Sequence, residues 1–372
     1  MREDGDEAFF ASLAQPGIRG LRAYDPGHDL VALRARHDLL IELGSNENPQ
    51  GAAPAARIAL LDAMHQIHRY PDPLGGDLKR ALAERNGIAP ARLMLGNGSH
   101  ELLMLIAQCF ADAAHSVVFS QFGFAVFPIA TAAAGAQPVC VPALLREHPH
   151  APYGHDLDAM GNAIRADTRL VYLANPNNPT GTWFDDAALA NFLARVPRDV
   201  LVVVDEAYHE YVDAPGLSTA LRFADDHPNL IVTRTFSKAY GLAGLRVGYL
   251  VADASVIAVL ERLRESFNVN AVALAGAEAA LADRKHLARS REFNHSEREW
   301  LRGELTSRGY RCLPSLTNFL MLDLAREASD LERHLFERGV IVRPMGGYGL
   351  PRTLRVSIGS HVENQRLLDA LP

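Results

Sequence analysis

The chain has 372 residues, 48% of them hydrophobic and 22% charged, a balance that rules out wholesale disorder and accommodates two domains or one large one. Its formal net charge of −7 speaks against nucleic acid or an anionic membrane as the main partner. Cys109, Cys140 and Cys312 are far apart and lack CxxC spacing; they supply neither a disulfide framework nor a zinc site, and their apolar surroundings predict buried thiols.

The first residues, MREDGDEAFF, are acidic and have no apolar core. They do not read as a signal peptide, and a cytoplasmic location is expected. Gly17, Gly20, Pro26 and Gly27 punctuate residues 1–44, which read as an irregular arm ending in a short strand at Leu39–Leu43. Ile58, Leu61, Met64 and Ile67 recur at helical spacing over 54–68, and a further helix begins at Leu78–Glu84 after the turn Tyr70–Gly76.

Seven apolar runs then alternate with helical patterns: Leu93–Leu95, Ser116–Ser120, Gln137–Val141, Leu170–Leu173, Val200–Val204, Leu230–Thr233 and Val247–Val251. Continuous runs predict strands buried on both faces, as in a parallel sheet covered by helices. Right-handed crossovers then gather the strand-to-helix loops at one edge. Phe122–Leu145 carries no charge and is long enough to span a bilayer. However, Pro128, Pro138 and Pro142, with Gly135 and Gln137, divide it into a short helix, a turn and a strand.

Ala252–Ala282 reads as one long helix leading out of this unit, followed by a charged helix around Arg284–Arg308. Three strand-like runs, Phe319–Leu324, Val340–Val342 and Leu354–Ile358, and a helix from Val362 complete the chain. The expected fold is α/β: a large domain over 45–262 with a mostly parallel seven-stranded sheet covered by helices, and a smaller α+β domain over 263–372 that includes the arm 1–44.

Chemistry-bearing residues cluster at the ends of the apolar runs. Gly96-Asn-Gly-Ser99 opens an apolar helix, where free N–H groups form a phosphate site or serve as a plain capping turn. Asn175-Pro-Asn-Asn-Pro-Thr-Gly181 is a loop stiffened by two prolines. Asp205 and Glu206 end an almost purely apolar strand, and a carboxylate there needs a metal ion, a cationic side chain or a protonated ring nitrogen as partner. No regular metal-ligand spacing supports a metal; Glu147, His148, His150, His155 and Asp156 share one loop without it. Thr235, Ser237, Lys238 and Arg246 lie on a glycine-punctuated turn, an anion cradle beside a potential nucleophile. An amine, a buried acid and a phosphate cradle are what pyridoxal 5′-phosphate chemistry requires.

With Asn46-Glu-Asn-Pro49, Arg69-Tyr-Pro-Asp-Pro73 and Leu354-Arg-Val-Ser-Ile-Gly359, these segments resemble, over nearly the whole chain, the fold-type I aminotransferases of class I/II, and within them the histidinol-phosphate aminotransferase family. The resemblance implies that Lys238 binds the cofactor covalently and later shuttles a proton. It implies that Asp205 faces the ring nitrogen, that Tyr208 and Asn178 bond the ring's 3′-oxygen, and that Phe122 stacks on the ring. Gly98, Ser99, His100, Thr235, Ser237 and Arg246 would hold the cofactor phosphate, joined by Tyr70 from a neighbouring subunit in a homodimer with shared active sites. Tyr24, Asn178, Arg343 and Arg355 would bind the substrates, histidinol phosphate and glutamate or 2-oxoglutarate. Phe122 stands where many relatives carry Tyr, and His100 where Asp is usual, so His100 is implied only through its backbone N–H.

An aromatic amino acid aminotransferase and a threonine-phosphate decarboxylase are the rival readings on the same scaffold. A cofactor-sensing regulator would need an added DNA-binding segment, which residues 1–44 are too short and too acidic to supply, and the GxSxG elbow of a serine hydrolase is absent.

Overall fold

The computed structural model describes residues 3–21 and 40–372. At its centre is a seven-stranded sheet of β2 (Leu93–Gly96), β3 (Ser116–Ser120), β4 (Gln137–Val141), β5 (Thr168–Ala174), β6 (Leu201–Asp205), β7 (Leu230–Thr235) and β8 (Gly248–Val251). Their spatial order is β2-β8-β7-β6-β5-β3-β4. β3 to β7 pair in parallel, whereas β8 runs antiparallel to both β7 and β2. The fold class is the expected one, and the direction of β8 is what apolar runs alone cannot reveal.

Side chains on the two faces of this sheet feed separate cores. Val117, Tyr172, Val203 and Ile231 pack with the helix Ser99–Phe110, while Val118, Val171, Val202 and Val232 pack with the helix Asp186–Leu193. Both faces are dry, as continuous apolar runs require. β4 departs from this: it is an edge strand, with Gln137, Pro138 and Cys140 exposed. Cys140 is therefore not the buried thiol expected, and Cys109 and Cys312 are only partly buried.

A second, antiparallel sheet orders β12 (Arg343–Pro344), β13 (Thr353–Ser357), β10 (Phe319–Asp323) and β9 (Arg311–Cys312), and β1 (Ile41–Glu42) pairs in parallel with β11 (Val340–Ile341). Ile41 and Leu43 join the core of this smaller sheet with Leu320, Leu354 and Leu368. The closing helix His361–Ala370 carries a complete capping box from Ser360 and Glu363.

Two expectations need correction. The beginning of the arm is helical, Glu3–Leu13 and Pro16–Arg19, and Gly17 lies against the Ala132 carbonyl so closely that a Cβ would not fit. Ala252–Ala282 is two helices, Ala254–Leu260 and Ala271–Ala282. Between them Arg264 and Asn268 tie the chain to Glu261, Leu95 and Glu101, and Asn270 caps the second helix by accepting from the Ala273 N–H at 2.8 Å. The helix Pro54–Ala63 and the single turn Met64–Gln66 that follows it carry apolar residues on the outside: Ile58 is 70% exposed, and Leu61, Met64 and the adjoining Ile67 are also exposed. Small residues decide that geometry, since Gly276 of the neighbouring helix lies against Leu60 without room for a Cβ.

Among the described residues, no helix is long and apolar enough to cross a membrane. Phe122–Leu145 resolves into the helix Val126–Ala133, a turn and β4.

Candidate active site

β5, β6 and β7 are adjacent and parallel, so their carboxyl ends deliver Asn178, Asp205 and Lys238 to one place; Asp205 stands opposite both Ala174 and Thr233. The reversal at β8 brings Arg246 back to the same edge, because a residue entering an antiparallel strand meets the residue leaving its neighbour. Arg246 takes a left-handed conformation with φ of 55°. The helix Ser99–Phe110 begins beside it, aiming free N–H groups at the same spot. From the smaller sheet, β12 and β13 contribute Arg343 and Arg355, directly opposite each other in an antiparallel pair.

These elements enclose a cavity of about 280 Å³. Ser99, His100, Asn178, Asp205, Tyr208, Thr235, Ser237, Lys238, Arg246, Arg343 and Arg355 line it. Gly98 stands just behind the wall, where a Cβ would collide with the Arg246 guanidinium. Phe122 is not on the wall: it is buried among Leu313, Met321 and Met345, edge-on to Tyr153 at 5.6 Å. Phe124 lines the cavity with Tyr208. Tyr70 lies away from this cavity, 82% exposed and stacked on Phe267 with ring centroids 4.6 Å apart. Tyr24 lies outside the described residues.

The Lys238 amine donates to the carbonyls of Ser45 at 3.3 Å and Asn46 at 3.1 Å. Burial, then the Arg355 guanidinium, lowers its pKa to about 8, so a neutral, nucleophilic amine exists near neutrality. Burial pushes Asp205 up to about 7, opposed by the Thr233 hydroxyl, which donates to Oδ1 at 2.8 Å. Burial likewise holds the Tyr208 phenol above its ordinary value, and Tyr208 accepts from Asn46 Nδ2 at 3.0 Å. Because its oxygen is an acceptor there, the phenol keeps its own proton to donate elsewhere.

Arg355 donates to Asn178 Oδ1 and to the Gly44 carbonyl, both at 2.6 Å, and its guanidinium lies 5.3 Å from the Phe319 ring centroid. Arg246, also on the wall, donates to Ser237 Oγ at 3.2 Å, and Thr235 Oγ1 bonds Ser237 Oγ at 3.0 Å. The cavity thus gathers three guanidinium groups, an amine and a buried acid.

Pyridoxal 5′-phosphate fits this donor set. Asp205 has no salt-bridge partner among the described residues, and a ring N–H⁺ would supply one. The Thr235–Ser237–Arg246 cradle suits a phosphate. No group of three or more His, Cys, Asp or Glu is placed to hold a metal ion among the described residues. His155, from the His/acid loop, instead caps β5 by accepting from the Ala174 N–H at 3.1 Å.

Sequence reasoning missed Asn46 and the Arg234 partner of Glu206. Asn46, at φ 56°, bonds Ser357 twice as well as Tyr208 and, through its carbonyl, Lys238. Glu206 forms a buried ion pair with Arg234, at 2.7 and 3.0 Å, and also accepts from Thr219 and from the Ala220 N–H. The Asn46 motif is visible in the chain, but its partners on β13 and beyond β6 are far away in sequence. A buried Arg in the run Leu230–Arg234 was the available signal for the ion pair.

The family model for aminotransferase class I and II matches residues 39–371. A histidinol-phosphate aminotransferase 2 of Pseudomonas aeruginosa is 48% identical over 97% of both chains, and one of Methylococcus capsulatus is 46% identical over 97% of both. The crystal structure of histidinol-phosphate aminotransferase from Sinorhizobium meliloti, in complex with pyridoxal-5′-phosphate, superposes with a TM-score of 0.87 at 33% identity, over 97% of both chains. Matching residues from the last strand of the arm to the final helix, this chain belongs to the class I and II aminotransferase family.

Proposed function

We propose that this chain is a pyridoxal-phosphate-dependent transaminase acting on L-histidinol phosphate and 2-oxoglutarate, a step of histidine biosynthesis. The observation that carries it is a second cationic site in the cavity. Arg343 and Arg355 face each other across β12 and β13, apart from the Arg246 cradle. Guanidinium forks on a cavity wall suit anions with planar or tetrahedral oxygen acceptors. The phosphate of histidinol phosphate and the carboxylates of glutamate are such anions, and relatives up to 48% identical bear the matching name.

When bound, the cofactor supplies an electron sink conjugated with the substrate's Cα. Lys238 would hold it covalently, and its amine would carry the proton away from the substrate's Cα and back, a task matched to an amine of pKa about 8. Asp205 would keep the ring nitrogen protonated and Tyr208 would donate to the ring oxygen, while Asn178 is oriented by its bond from Arg355. Phe124, on the wall, is the aromatic placed to contact the ring. Arg355 then orients the substrate so that its Cα–H faces the lysine.

The outward apolar face of Ile58, Leu61, Met64 and Ile67, with Tyr70 nearby, supports a homodimer in which Tyr70 serves the partner's cavity. The division into 45–262 and 263–372, and a cytoplasmic location, belong to the same reading. A visible absorption spectrum before and after adding L-histidinol phosphate tests it. A yellow band that converts to a near-ultraviolet band is expected. A yellow band that responds to phenylalanine instead would move the assignment to the aromatic class, and no band after cofactor addition would overturn it.

A further inference from the structure

We infer that Thr233 is a positioning residue that fixes the rotation of the Asp205 carboxylate toward the cofactor's ring nitrogen, an inference that rests on the pyridoxal phosphate reading above. Thr233 lies on β7 directly opposite Asp205 on β6, fully buried, and its hydroxyl donates to Oδ1 at 2.8 Å. Its carbonyl also accepts from the Glu206 N–H at 2.8 Å. One residue therefore pins both the side chain of Asp205 and the backbone just after it.

The choice of residue type is the telling point. Leu230, Ile231 and Val232 precede it in the same dry strand, and valine would fill the same volume without burying a hydroxyl. A buried hydroxyl is costly unless bonded, and this one is spent on Asp205. With Oδ1 held, the carboxylate cannot turn freely about its Cβ–Cγ bond, and Asp205 lines the cavity in that orientation. The charged and titratable groups facing the carboxylate are Glu206, Lys238 and Tyr208. Thr233 is thus the stronger of two neutral donors, ahead of the Ala207 N–H, that favour ionised Asp205 over its protonated form.

The test compares wild type, Thr233→Val, Thr233→Ala and Thr233→Ser as purified full-length protein, measuring pyridoxal phosphate affinity across pH and the melting temperature of the cofactor-free form. Thr233→Val is expected to weaken cofactor binding about ten-fold. The acid limb of its affinity–pH profile should move up by about one unit, because Asp205 then ionises at higher pH. Thr233→Ala should show the same shift even where its smaller side chain lowers the melting temperature, and Thr233→Ser should restore the wild-type profile. Unchanged affinity and acid limb in both Thr233→Val and Thr233→Ala, with wild type binding normally, would overturn the role of Thr233 alone. Failure of wild type to bind pyridoxal phosphate would overturn the active-site reading with it.

Discussion

The buried Glu206–Arg234 pair offers a quantitative test of how the site is braced. Arg234 donates twice to one Glu206 oxygen, at 2.7 and 3.0 Å, and both side chains are nearly inaccessible. Burial works to raise the Glu206 pKa, yet the Arg234 cation, then His209 and the Ala220 N–H, hold it below its ordinary value. Arg234→Met removes the counter-charge and leaves a carboxylate inside the protein, which costs about 3–5 kcal/mol. Glu206→Gln keeps the shape but leaves the guanidinium uncompensated, with a loss of the same order. The double variant removes both charges and should cost clearly less than the sum of the two.

Equilibrium urea unfolding at fixed protein and cofactor concentration measures this. The pH dependence gives an independent check. A carboxylate with a depressed folded pKa contributes stability above its unfolded pKa and loses it as pH falls through the folded value. In Arg234→Met that contribution is gone, so the gap to wild type should narrow as pH drops below the ordinary carboxylate range. Single-variant losses below about 1 kcal/mol, the level of an exposed pair, or strict additivity in the double variant, would refute the bracing argument.

Arg355→Ala should raise KM for both substrates about 10- to 100-fold, the worth of one hydrogen bond to a charged group; unchanged KM values for both would sink the shared-anion site. Gly98→Ala, at φ 86° and against the Arg246 guanidinium, should lower pyridoxal phosphate affinity at least ten-fold on the scale of a lost charge-assisted bond, measured by equilibrium dialysis; wild-type affinity would mean that the cradle is not at this turn. For cofactor-free protein, the rate of covalent capture of pyridoxal phosphate should rise with pH through about 8, where the Lys238 amine becomes neutral, rather than near 10.5. A stopped-flow inflection at the higher value would show that burial and Arg355 do not tune the lysine.

Most of the sheet could be read from the chain because a strand buried on both faces leaves a continuous apolar run; β3 matches its run residue for residue. Strand direction left no such mark, so β8 looked like the others. The outward face of Pro54–Ala63 was legible as helical spacing but not as exposed, since periodicity says which residues share a face and not what covers it. At the site, motifs gave the residues that end strands. They could not give Asn46, whose role is made by Ser357 and Tyr208, nor Thr233, whose hydroxyl matters only because β6 and β7 lie side by side. Phe122 and Phe124 are two residues apart in a loop, where no periodicity tells which ring meets the cavity.

The place of β8 has a consequence for how the protein is made. β2 is the first strand of the large sheet to leave the ribosome, yet its neighbour in space is β8, the last, with Leu93 paired to Val251. Closing so long a stretch of chain is slow compared with pairing adjacent hairpins. The glycine turn after β2 and the arginine before β8 meet only when every intervening strand is in place. A nascent chain halted before β8 therefore carries the lysine and Arg246 but not the strand that pairs with β2 and so sets Arg246 beside the Gly98 turn.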